Sequence, residues 1–171
     1  MKEISFRNDV LPLKNELYRL ALRITLSRQE AEDVVQDTLI KIWNRRDSWQ
    51  QIDSIEAYSM TICRNLALDR TRKASFQQPS LEMTTVEEPR TRTADPQEKA
   101  IRRDQLNLVR DIINSLPEKQ RSCIQLRDFE GKSYKEVAAA LQISEEQVKV
   151  NIFRARQTIK QRFQKLDEYG L

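Results

Sequence analysis

Apolar side chains along this chain recur at steps of three and four and never in strict alternation, so the pattern predicts helices and no sheet. The clearest case lies near the C-terminus. Tyr134, Val137, Ala138 and Leu141 follow the i, i+3, i+4, i+7 spacing of a short amphipathic helix. Val148, Ile152, Ala155 and Ile159 then mark one face of a second helix, reached through Gln142-Ile143-Ser144. Two helices joined so tightly, with Ile143 placed to plug the angle between them, make a helix-turn-helix. Farther back, Val34, Val35, Leu39, Ile42 and Trp43 are the residues of another helix left for a core. Helices are expected near 8–26, 29–44, 54–73, 96–114, 117–129, 133–140 and 145–166.

The helix starts carry their own chemistry. Asp95-Pro96 sets an N-cap acid before a proline at the first helical position. Ser27-x-x-Glu30, Asp53-x-x-Glu56, Ser115-x-x-Glu118, Ser133-x-x-Glu136 and Ser144-x-x-Gln147 fit or approximate capping boxes. Gly131 is placed to end the helix that begins near Pro117.

Between these segments the pattern lapses. The run ASFQQPSLEMTTVEEPRTRTADP has no sustained apolar period and holds three of the five prolines, which reads as a linker. The expected architecture is all-α: a helical bundle over 1–73, a flexible linker over 74–95 and a helix-turn-helix domain over 96–171. With 171 residues there is room for two small domains. Drawn out, the 22 linker residues reach about 75 Å, whereas a flexible coil of that length averages about 26 Å.

Composition removes whole classes of function. No histidine is present, so the commonest neutral-pH general base is missing. No glycine-rich phosphate cradle exists either, and no enzyme activity or cofactor is expected. Cys63 and Cys123 stand apart, without metal-site spacing, and read as reduced core residues of a cytoplasmic protein. No apolar run approaches the ~18 residues a membrane helix needs, and the first residues, MKEISFRNDVLPLKNE, lack the apolar stretch of a signal peptide. Membrane insertion is not expected.

Charge then divides the surface. The net charge is +4, and from Lys149 to Lys165 there are six Lys/Arg and no acids. Complementing a helix dipole needs cations only in the last turn. A recognition helix in a DNA major groove uses the whole run, with its first residues on base edges and later cations on phosphates. Gln147, Lys149, Val150 and Asn151 would face bases, with Ser144 capping the helix and Arg154 and Arg156 nearer the backbone. By contrast, four carboxylates fall between Glu30 and Asp37 with no cation until Lys41. Asp37 lies about two turns into its helix, too far to serve the N-terminal dipole.

Three stretches in this order resemble the bacterial RNA polymerase sigma factors of the extracytoplasmic-function (ECF) group. LYRLALRITLSRQEAEDVVQDTLIKIW is similar to the start of sigma region 2, and AYSMTICRNLALDRTRK to its promoter-facing helix. SLPEKQRSCIQLRDFEGKSYKEVAAALQISEEQVKVNIFRARQTIK is similar to region 4. The resemblance implies a monomer that docks on core RNA polymerase, reads −10 and −35 elements of promoter DNA and is held in check by an anti-sigma factor. Asp33, Gln36, Asp37 and Ile40, one helical stripe, would dock on the polymerase. Arg64 and Asn65 would face the −10 element, with Arg70, Arg72 and Lys73 on its phosphates. Gln50, Gln51, Asp53 and Ser54 fall in the family's base-capturing loop, where Trp49 is either a stacking residue or a core anchor. In the recognition helix Lys149, Phe153 and Arg154 match the family pattern, whereas Val150-Asn151 replaces its Ser/Thr-Arg type. Met60 and Thr61 stand where primary sigma factors carry paired tryptophans, which implies weaker melting and stricter promoter choice.

Two other readings fit the same residues. An autonomous regulator would use the N-terminal lobe to sense or dimerise and would bind a palindromic duplex unaided. A helical adaptor would present its basic face to an acidic protein or RNA.

Overall fold

A computed structural model describes residues 3–77 and 96–168. Most of the expected linker, residues 78–95, lies outside the described residues. The seven α-helices among the described residues are α1 (Lys14–Thr25), α2 (Arg28–Asn44), α3 (Ile55–Gln77), α4 (Pro96–Asn114), α5 (Glu118–Ile124), α6 (Tyr134–Leu141) and α7 (Glu145–Glu168). No strand occurs among them.

The departures from the expected helices have local causes. The first helix was expected from residue 8, but a π-helical turn (Phe6–Val10) and a 3-10 turn (Leu11–Leu13) precede α1. Pro12 lacks the N–H that a continuous ladder would need there. The helix expected over 117–129 closes α5 at Ile124 and continues as a π-helical turn, Gln125–Phe129. Gly131, at φ +72°, then stops it as expected. At α3 the capping side chain is Ser54, whose Oγ accepts from Ala57 N–H at 3.2 Å, one residue after the expected Asp53. Ser115 does not cap α5: its hydroxyl donates to Ile112 O at 2.6 Å, and Pro117 occupies the N-cap.

Both expected serine boxes around the helix-turn-helix form. Ser133 Oγ accepts from Glu136 N–H at 3.1 Å while Glu136 Oε1 accepts from Ser133 N–H at 3.2 Å. Ser144 and Gln147 repeat the exchange at 3.1 Å in each direction. Between them Gln142 takes a left-handed turn, φ 56°, and Ile143 N–H donates to Ala138 O at 3.1 Å. Ser133→Ala should therefore lower stability by about 1 kcal/mol, and thermal unfolding followed by circular dichroism should show a fall of about 2–4 °C.

Burial follows the three- and four-step pattern. Ala31, Val34, Val35, Thr38 and Ile42 form the inner stripe of α2. Trp43 was expected in the core but is 46% exposed. One residue beyond Ile42 rotates the side chain by ~100° out of the stripe. There it meets Phe6 edge-on at 5.3 Å and lies under the Arg46 guanidinium at 4.7 Å. Cys63 and Cys123 are both buried, and burial pushes each thiol up to about 12.

Among the described residues one buried cluster spans both halves of the chain, and a smaller one of Val10, Ile42, Trp49 and Ile62 lies beside it. Leu17, Leu20 and Ile24 of α1, Met60 and Cys63 of α3, Ile124 of α5, Val137 of α6 and Ile152 of α7 belong to one buried cluster. α1 packs on α5 and α3 on α6, so the helices before and after the expected linker lie against each other.

Candidate functional site

The acidic face of α2 comes first. Its buried stripe turns Gln36, Asp37 and Ile40 outward, with Ile40 58% exposed and Asp33 partly covered. All four residues assigned to polymerase docking therefore share the outer side of one helix. Opposite them, near the end of α3, stands Arg70. Its Nη1 donates to Glu30 Oε2 at 2.9 Å and to Asp33 Oδ2 at 3.4 Å, and its Nη2 to Asp37 Oδ2 at 2.9 Å. Sequence reasoning put Arg70 on promoter phosphate; here its guanidinium meets the acidic helix. The Glu30 and Asp37 hydrogen bonds raise its pKa further, against a smaller cost of burial.

The residues assigned to the −10 element fall into two groups. Gln50 and Gln51, on a 3-10 turn (Arg46–Gln51), and Asp53 and Ser54 after it are all exposed. Trp49 is the core anchor of that turn: it is buried, and its Nε1–H donates to Ile42 O at 3.1 Å. Ser54 is occupied as the cap of α3. On α3 itself Asn65, Arg72 and Lys73 are exposed. Arg64 is not. Its side chain is only 13% exposed and forms a fork on Glu118, with Nε to Oε1 at 2.8 Å and Nη2 to Oε2 at 2.9 Å. Its Nη1 reaches Leu141 O at 3.4 Å, and one turn earlier Thr61 Oγ1 donates to Ala140 O at 2.9 Å.

Arg64–Glu118 belongs to a wider seam between the two halves of the chain. Arg19 Nη2 donates to Glu130 Oε2 at 2.8 Å, and its Nε pairs with Glu130 Oε1. Lys132 Nζ lies 3.0 Å from Glu16 and also pairs with Glu56. Arg23 donates to Gln125 Oε1 at 2.9 Å and to Asn114 Oδ1 at 3.1 Å. Burial alone would push the Glu118 carboxyl up, but the Arg64 guanidinium and the Ser122 hydroxyl outweigh it and hold the pKa below the ordinary 4.5. Sequence reasoning missed these residues. In sequence Glu118 looked like the end of a capping box, and Arg19, Glu130 and Lys132 look like solvated charges.

At the other end, α6 and α7 form the expected helix-turn-helix. Val148, Ile152 and Ala155 are buried against it, which turns Gln147, Lys149, Val150, Phe153 and Arg154 outward, with Asn151 at the edge of that face. Phe153 is 67% exposed. Ser144 and Gln147 are tied to the cap, Asn151 Nδ2 donates to Gln147 O at 2.7 Å, and Lys149 Nζ lies 5.6 Å from the Tyr134 ring centre. Arg156 is paired with Asp128, its Nε donating to Oδ2 at 3.1 Å. The outer face of α7 is therefore cationic and rigidly based. Among the described residues no cluster of metal-binding side chains occurs, and no helix is long and apolar enough to cross a membrane.

Known proteins match this arrangement over most of the chain. Residues 10–77 match sigma-70 region 2, and residues 106–159 match sigma-70, region 4. The RNA polymerase sigma-H factor of Pseudomonas aeruginosa is 27% identical, over 92% of this chain and 85% of its own. The ECF RNA polymerase sigma factor SigL of Mycobacterium tuberculosis is 30% identical, over 88% of this chain and 84% of its own. Among solved structures, the sigma factor RpoE of Bartonella quintana, in complex with the anti-sigma factor NepR, superposes with a TM-score of 0.72. It is 24% identical, and the match covers 93% of this chain and 96% of that one.

Proposed function

The chain belongs to the sigma-70 family as an ECF RNA polymerase sigma factor, and from that premise we propose how its surfaces divide the work of promoter-specific initiation. Asp33, Gln36, Asp37 and Ile40 on α2 dock on core polymerase. Exposed carboxylates there steer and orient a basic partner surface. Arg64, Asn65, Arg72 and Lys73 of α3, with Gln50, Gln51, Asp53 and Ser54 before it, meet the −10 element. Ser144, Gln147, Lys149, Val150, Asn151, Phe153, Arg154 and Arg156 meet the −35 element. The observation that carries this reading is the separation of charge on exposed helix faces: an acidic stripe on α2 and a cationic face on α7, neither consumed in packing the two halves together.

The autonomous-regulator reading needs a sensing or dimerisation lobe, and residues 10–77 match sigma-70 region 2 instead. Sigma factors direct the polymerase and carry out no catalysis of their own. This one acts as a monomer in the cytoplasm, where the polymerase is, and has an anti-sigma factor as a further partner; the RpoE structure holds one.

With Arg64 enclosed between the halves, the arrangement described here is a closed one that cannot offer that residue to DNA. Promoter elements one and a half to two DNA turns apart lie roughly 50–70 Å from each other. The 18 residues between α3 and α4 span about 60 Å when drawn out, so polymerase must separate the halves nearly to the limit of that tether. The decisive test is transcription with purified core polymerase. Adding the chain should give transcripts that depend on both promoter elements, and a chain that associates with core and starts no specific transcript would refute the reading. In the same system Lys149→Ala with Arg154→Ala should abolish dependence on the −35 element. It should also make the salt dependence of −35 duplex binding shallower by about one in log–log slope, through the loss of Arg154 near the phosphates.

A further inference from the structure

The arginine between α2 and α3 is assigned no role by the division of labour above. Glu30, Asp33 and Asp37 lie along one side of α2, three and four residues apart. Like charges so spaced repel, and free carboxylates there would turn away from one another into water. Arg70 reaches across from α3 and takes one oxygen from each: Glu30 Oε2, Asp33 Oδ2 and Asp37 Oδ2. A guanidinium spreads its donors over a planar fork and so reaches acceptors set apart along a helix, whereas an ammonium offers its three from a single point. Among the described residues the second oxygen of each carboxylate has no hydrogen-bond partner, and the carboxylates remain 43%, 47% and 50% exposed. One cation against three anions also leaves net negative charge on the face.

We propose that Arg70 is a positioning residue for polymerase docking: it holds Asp33 and Asp37 in fixed rotamers with one oxygen outward, so that the partner meets a preformed anionic surface. The proposal rests on the assignment of Asp33 and Asp37 to that interface. Its physical basis is preorganisation, since a side chain ordered before binding no longer has to be ordered by binding. It also separates Arg70 from its neighbours Arg72 and Lys73, which are exposed on the same helix.

The test measures three things on the full chain carrying Arg70→Ala or Arg70→Lys: affinity for core polymerase, thermal unfolding, and −10 strand binding by holoenzyme assembled at saturating core. Arg70→Ala should weaken core binding about tenfold, with unfolding shifted by less than about 3 °C and −10 strand binding within about twofold of wild type. Arg70→Lys should recover only part of the loss, because an ammonium lacks the fork. In a chain already carrying Asp33→Ala and Asp37→Ala, adding Arg70→Ala should cost no more core affinity, the non-additivity expected of groups acting through one contact. Unchanged or tighter core binding by Arg70→Ala overturns the proposal, as does a loss confined to −10 strand binding, which would make Arg70 a phosphate contact. If instead the Asp33→Ala/Asp37→Ala chain binds core normally, it is the docking assignment that has failed.

Discussion

Replacing Asp33 and Asp37 together by alanine should lower affinity for core polymerase by about 30- to 100-fold, while binding of an isolated −35 duplex stays unchanged. Both carboxylates sit on the outer side of α2, and neither supports the core beneath it. Their loss removes two charges from a surface meant for a basic partner. Truncating interfacial charges that become desolvated on binding costs about 2–5 kcal/mol, and the low end of that range suits residues half exposed before docking. The change should fall on association at low salt and on dissociation at any salt. Glu30 remains to hold Arg70, so the fold should persist, and circular dichroism should show the same helix content. Equal losses in core and −35 binding would place this surface elsewhere. Gln36→Ala should cost less, because a neutral amide contributes neither steering nor a desolvated charge.

How far the residues announced all this depends on the range of each interaction. Ser133 and Ser144 cap α6 and α7 as read, because a capping box is complete within four residues. Ser115 failed as a cap because α5 starts at Glu118 with Pro117 in the N-cap, and Glu118 is turned toward Arg64, 54 residues away in sequence. No periodicity carries that information. Trp43 was misassigned because helix patterns resolve a face only to within one residue, and Ile42 took the inward position. The helix-turn-helix core was legible to the residue, since Val148, Ile152 and Ala155 repeat at three and four and nothing distant competes for them. The seam between the halves was not legible at all. Arg19 lies on α1 and Glu130 and Lys132 in the turn around Gly131, and only the packing of α1 on α5 and α3 on α6 brings them together. Arg70 shows the same limit at shorter range: a basic helix end beside a promoter-facing motif suggests phosphate, until α2 is seen across from it.

Opening that seam is the second large effect to expect, and Glu118→Ala is the way to do it. Removing one member of a fully buried ion pair costs about 3–5 kcal/mol, because the other charge stays desolvated; this pair is partly buried, which puts it at or below the low end. In this variant Arg64 would keep, among the described residues, the carbonyl of Leu141 at 3.4 Å. Loosening the seam lets water reach the guanidinium and so raises the share of an open form, against the shared apolar cluster and the Arg19–Glu130 and Lys132 pairs that still hold the halves. A compact chain of 171 residues has a radius of gyration near 15–16 Å, so small-angle scattering should show the variant clearly larger. The freed Arg64 should then tighten binding of a −10 single strand by the isolated chain, whereas Arg64→Ala should expand the chain without that gain. Replacing both partners by apolar residues, Arg64→Met with Glu118→Leu, should keep the chain compact, since an apolar pair of similar volume is about as stable as the ion pair. Expansion of that double variant would show that the seam needs the ion pair itself and not merely a filled contact. Acid should act on the same contact. Glu118 titrates below 4.5 in the closed form, so its contribution is fully present above that pH and is lost as pH falls through the depressed value. The contact should therefore hold above about pH 4.5 and weaken as pH falls through the depressed value. In the wild-type chain the trigger must come from binding, and the same Glu118→Ala variant should initiate transcription at lower concentrations of core polymerase, because less of the docking free energy is used to pull the halves apart.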